Sequence, residues 1–196
     1  MSVRKVVFVS MLALTLACSG AFAQTVAVQS GQTSVALSTE FLGALQKLGV
    51  APGVLTPTTI NSKAVVTFPI TGGAIDAQSA AGQITHSGGL TLTKGTTQVA
   101  IENFIIDTTG SSPVLNGIAA VNGSVAASLT LFNLQLPPGF RTPIRPIAGV
   151  FVTVPGVAVT LSDAAAATLN KVFGVTAFTG GLNVGSATVQ AIVLPN

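Results

Sequence analysis

The sequence predicts a mainly β chain: a two-layer, antiparallel β-sandwich-like domain with two short helices. Three observations carry this. Apolar residues recur with period two over most of the chain after Lys63, the spacing of strands with one buried face. Valine, threonine, isoleucine and glycine dominate, and these suit pleated strands and their turns. Two stretches change to helical spacing, each opened by a serine and followed by a glycine.

The first residues read as an export signal rather than as part of that domain. Arg4 and Lys5 precede the apolar run Val6 to Ala17, and Ala21-Phe22-Ala23 offers small residues to a signal peptidase. Residues 1–23 are therefore expected to be a signal peptide, and 24–196 a single β-rich exported domain. The run is shorter than the roughly 20 apolar residues of a permanent span. An alternative processing would lipidate Cys18, but Thr15-Leu16-Ala17 fits that pattern less well than Ala-Phe-Ala fits the first. Cleavage after Ala23 leaves no cysteine, so the core must supply stability without disulfides. The expected address is the periplasm, the cell surface or the medium.

Within the domain, Val26 to Val28 and Ser34 to Leu37 read as short strands. Ser38 then caps a helix over Thr39 to Leu48, with Phe41, Leu42, Leu45 and Leu48 on one face and Gly49 at its end. Ala51 to Thr59, carrying Pro52 and Pro57, reads as a loop. Val65 to Phe68 reads as a strand closed by Pro69, with Gly72-Gly73 turning the chain. Gln83 to Thr93, Thr97 to Asp107, Val114 to Val121 and Ser124 to Gln135 read as four successive antiparallel strands. Asn122-Gly123 is the strongest hairpin signal, because both residues tolerate positive φ; it explains Asn122-Gly123-Ser124 better than a glycosylation sequon does. Leu136 to Ile147 is proline-rich and reads as a connector, with a binding loop as its alternative. Val159-Thr160-Leu161-Ser162 then repeats Val35-Ala36-Leu37-Ser38, and a second helix is expected over Asp163 to Val172, ended by Gly174. Val175 to Phe178, Leu182 to Val184 and Thr188 to Leu194 close the domain as strands.

The reactive inventory is thin. Outside Arg4 and Lys5 there are six basic and five acidic residues, a net charge of +1, with Arg141 and Arg145 the one close basic pair. That excludes the basic stripe of a nucleic-acid binder. The absence of Trp and Tyr argues against the aromatic girdles of an outer-membrane barrel. No spacing of His, Cys and acidic residues makes a transition-metal site. No nucleophile elbow or phosphate loop appears, so the chain is expected not to be an enzyme. The one histidine, His86, is the most informative residue. Strand alternation puts it on an apolar face with Ile84, Leu90 and Leu92, beside the bare pair Gly88-Gly89, which allows close backbone approach or a bulge. Two readings are open: a buried imidazole satisfied by a neighbouring carbonyl, or a ligand contact. His86, Gly88 and Gly89 are the candidate ligand-binding residues.

Three segments resemble a known family in order and content: Phe68-Pro69-Ile70-Thr71-Gly72-Gly73-Ala74-Ile75-Asp76, Gly82 to Leu92, and Val157 to Phe173. They resemble HtaA-type domains, which are bacterial exported or surface-anchored domains, several of which bind haem. The resemblance implies a β-rich domain with two small helices that binds haem or another apolar ligand, and places His86 beside the family's glycine-rich strand. Haem-binding members use a tyrosine as axial ligand; this chain has none. The expected function is an exported, non-catalytic binding module for a hydrophobic small molecule, haem among the candidates. The alternative is a structural or adhesive cell-envelope protein without such a ligand.

Overall fold

The computed structural model describes residues 25–141 and 151–195; the expected signal peptide and the end of the proline-rich segment lie outside them. The described strands are β1 (Thr25–Leu37), β2 (Ala51–Leu55), β3 (Thr59–Ile60), β4 (Val65–Asp76), β5 (Gly82–His86), β6 (Gly89–Lys94) and β7 (Thr97–Asp107), then β8 (Val114–Val121), β9 (Ser124–Gln135), β10 (Phe151–Leu161) and β11 (Asn183–Pro195). Two helices follow strands directly: α1 (Thr39–Lys47) after β1 and α2 (Asp163–Phe173) after β10.

Eight strands close into an antiparallel barrel in the order β1, β4, β5, β7, β8, β9, β10, β11 and back to β1. This corrects the expected sandwich. The edges a sandwich would leave are joined: β1 pairs with β11 from Val26↔Pro195 to Leu37↔Gly185, and β7 pairs with β8 from Val99↔Val121 to Asp107↔Val114. Closure removes the unpaired edges that an open sheet must otherwise protect. β6 and β2 continue outward from β7, and β3 lies on β4.

Bulges make this closure geometrically accessible, because one extra residue bends a strand and raises its twist. They also flip which residues face inward. In β1 the buried residues are Val26 and Val28, and beyond a register shift at Val28/Ser30 the buried residue is Thr33. β7 changes phase from Val99 and Ile101 to Phe104 and Ile106, across a shift where Asn103 takes φ 56°. β10 shifts between Val154 and Val157, where Gly156 has φ 73°. The flip in β1 breaks its period-two pattern, which is why β1 reads as two short pieces. Ala51 to Thr59, expected as a loop, holds β2 and the first residue of β3.

The core divides into two clusters. Val26, Val28, Ile70, Ile75, Ala191 and Val193 belong to one. The other is larger and lies toward the helices, with Phe41, Leu45, Phe68, Phe104, Leu161 and Phe173 among its members. The serine caps anchor the helices to the barrel as well as to themselves. Ser38 Oγ accepts from Phe41 N at 3.0 Å and donates to the Asn183 carbonyl at 2.6 Å. Ser162 Oγ accepts from Ala165 N at 3.0 Å and donates to the Thr130 carbonyl at 2.6 Å. Gly174 ends α2 in the left-handed conformation, at φ 63°. Asn122 and Gly123, at φ 49° and 81°, form the expected tight turn between β8 and β9.

Candidate functional site

A cavity of about 310 Å³ occupies the barrel interior, lined by side chains of both core clusters. Aliphatic and phenyl groups make most of its wall. Ser79, Ala80, Thr108, Gly110, Ser111 and Phe140 carry the lining out into the turns at the end of the barrel away from the helices. Two of those turns are pinned by their own polar groups. Asp76 Oδ1 accepts from the Ser79 hydroxyl and from Ser79 N, both at 2.7 Å. Thr108 Oγ1 donates to the Ala80 carbonyl at 2.6 Å and accepts from Gly82 N at 3.0 Å. The hydroxyl of Ser79 and the backbone N–H groups of Ser79 and Gln78 hold the Asp76 carboxyl below the usual carboxylate range. The hydroxyl and N–H of Thr109, with Gln83, do the same for Asp107.

His86 lines this cavity and is buried, at 6 % exposure. It stands at the last residue of β5, opposite Ile70 of β4, where the chain breaks at Ser87-Gly88 before resuming as β6. Its Nε2 lies 2.8 Å from the hydroxyl oxygen of Thr33 on β1. Its Nδ1 is buried and has no hydrogen-bond partner among the described residues. Burial pushes the imidazole pKa down from 6.5 to about 4, against a smaller opposing pull from the nearby backbone carbonyls of Phe104 and Ile84, neither of which meets hydrogen-bond geometry with Nδ1. The ring is therefore neutral at neutral pH. The bulge in β7 turns Phe104 inward near it, and Phe104 meets Phe68 edge-on with centroids 5.1 Å apart.

Of the three candidates, the structure puts His86 in the cavity wall; Gly88 and Gly89 are not in that wall. The close approach these glycines permit is to the segment after β2. Gly89 N donates to Thr58 Oγ1 at 3.0 Å. A Cβ on Gly88 would strike the Thr58 hydroxyl and come within 2.8 Å of Thr58 N, and Gly88 has φ 83°. Gly88→Ala is expected to destabilise the fold by at least about 1–2 kcal/mol from the left-handed backbone alone, measured by urea unfolding. A loss confined to that backbone cost would show that the Thr58 segment moves aside freely, and a loss under half of it would contradict the strain assigned to Gly88.

Thr33 is the functional neighbour that the sequence did not mark. It is a buried threonine 53 residues from His86, and no local pattern links them; only the bulge at Val28/Ser30 turns it inward. No serine or carboxylate hydrogen-bonds the ring among the described residues, so the orienting acid of a hydrolytic triad is not supplied. Nor are three or more His, Cys, Asp or Glu grouped to hold a metal ion among those residues.

No protein-family model and no curated protein matches the sequence. The likeness is to solved structures. The C-terminal domain of HtaA from Corynebacterium glutamicum aligns with a TM-score of 0.64 at 15% identity, covering 86% of this chain and 99% of that domain. The heme binding protein HtaB of the same organism aligns at 0.56 and 13% identity, covering 86% and 96%. The N-terminal domain of HtaA aligns at 0.56 and 10% identity, covering 86% and 99%. The resemblance read in the three sequence segments is thus a likeness of fold to HtaA and HtaB domains.

Proposed function

We propose that this chain is a non-catalytic binding module, exported from the cell, that takes an apolar small molecule into its barrel lumen. One observation carries the reading: a cavity of about 310 Å³ with an apolar wall holds a single buried imidazole, one nitrogen of which has no partner among the described residues. Small-molecule sites are typically apolar concavities of roughly 300 Å³ or more with a few convergent polar groups. A buried polar atom without a partner is uncommon in a folded domain, and a ligand group beside it would supply one.

Haem enters because HtaB is a heme binding protein of the same fold. His86 meets one requirement, since a neutral imidazole with a free nitrogen is a competent iron ligand. Residues 25–196 hold no Cys, Met or Tyr, so no other side chain of those ligand types is present there. The rest of the wall does not suit haem. Among the described residues it carries no Lys or Arg to pair with the carboxylates of the macrocycle, and burying those charges unpaired is costly. We therefore favour a ligand other than haem. A Soret shift on haem titration, abolished in His86→Ala, would reverse that preference.

The lumen reading is tested with Nile red, a neutral fluorophore that brightens in apolar surroundings. The full chain is expected to bind it saturably. Ala187 is buried in the cavity wall, and Ala187→Phe is expected to fill the space and weaken binding at least tenfold while the protein stays folded. Equal binding by a folded Ala187→Phe protein would place the dye elsewhere.

A further inference from the structure

We infer that the lumen selects uncharged ligands whose one polar group sits at mid-depth beside His86, over carboxylates of the same size. The inference rests on the binding reading above. Its first support is the absence of charge: among the described residues, none of the side chains in the cavity wall is Lys, Arg, Asp or Glu. An ionised carboxylate drawn inside would lose its hydration and meet no countercharge.

The second support is where polarity lies. His86 and Thr33, at 6 % and 4 % exposure, are the buried polar residues of the wall. The remaining hydroxyls of the wall belong to Ser79, Thr108 and Ser111 in the turns, and those of Ser79 and Thr108 are already engaged by Asp76 and by Ala80. A polar group on the ligand therefore finds its buried partner partway along the lumen, between the two core clusters.

The third support is the capacity of that partner. If Nε2–H donates to Thr33, Nδ1 is an acceptor; if Thr33 donates to Nε2, Nδ1–H is a donor. A ligand hydroxyl satisfies either arrangement, because it can give or take a hydrogen bond.

The experiment displaces Nile red from the full chain at neutral pH with dodecanol, dodecanoate and dodecane. Dodecanol is expected to displace the dye at a concentration at least tenfold below dodecanoate. His86→Leu is expected to weaken dodecanol two- to tenfold, the range of one hydrogen bond, and to leave dodecane unchanged. Thr33→Val, nearly isosteric, should weaken dodecanol in the same direction and provides the readout if His86→Leu does not fold. Dodecanoate displacing as well as dodecanol would overturn the exclusion of charge. Dodecanol unaffected by loss of either side chain would overturn its placement at His86. Failure of Nile red to bind the unmodified chain would instead overturn the binding reading underneath.

Discussion

Phe104→Ala is expected to lower the unfolding free energy by about 3–5 kcal/mol in urea denaturation. Phe104 is 3 % exposed and packs edge-on against Phe68. An aromatic pair of this geometry adds about 0.5–1.5 kcal/mol beyond simple burial. The position should fall in the upper part of the range for a physical reason. The lost ring borders an existing cavity, so the wall has nothing nearby to collapse into the space, and the cost of a truncation grows with the void that persists. Against a typical domain stability of roughly 5–15 kcal/mol, that is a large share. Phe151→Ala is the control: Phe151 is 49 % exposed on β10, and its loss should cost within about 0.5 kcal/mol. Similar losses at the two sites would show that the bulge at Asn103 does not direct Phe104 into the core.

Acid is expected to destabilise the barrel in a window set by His86. The imidazole titrates near 4 when folded and near 6.5 when unfolded. Between those values the unfolded chain binds the extra proton, so stability falls as pH drops from 6.5 toward 4 and levels below that for this group. The difference amounts to roughly 3 kcal/mol. Among the described residues the wall contains no other titratable side chain to share the effect. Asp76 and Asp107, whose carboxyls are held below 3.8, add their own loss only under that pH. Urea unfolding across this range should show a slope that His86→Leu removes. A slope surviving in His86→Leu would mean that another group carries the acid response.

Much of this architecture is legible in local sequence. Ser38 and Ser162 cap their helices because a short polar side chain before an apolar helical stripe has few better uses. Asn122-Gly123 marks its turn through two positive φ angles. Alternation about Ile84 and Leu90 places His86 inward, and all three side chains line the lumen. Barrel closure is another matter, because it depends on pairings between the two ends of the chain, such as Val28↔Val193, which leave no local trace. Bulges hide in a different way: the inward phase flips within one strand, so the two halves of β1 read as separate strands while the flip inside β7 leaves no sign in its reading. Pro52 and Pro57 disguise β2 and β3, whose partners lie on one side only. Thr33 is illegible because its inward aim is a product of a bulge, and the bareness of Gly88-Gly89 does not say in sequence that the Thr58 segment is what approaches it.

His86 is the chain's single histidine, so its imidazole signals can be assigned without ambiguity. A pH titration followed by nitrogen NMR, with and without dodecanol, therefore reports directly on whether a neutral ring faces an accessible lumen. The account predicts a midpoint near 4 and a shifted ring nitrogen signal once dodecanol is present. A midpoint near 6.5, with ring signals indifferent to dodecanol, would contradict it.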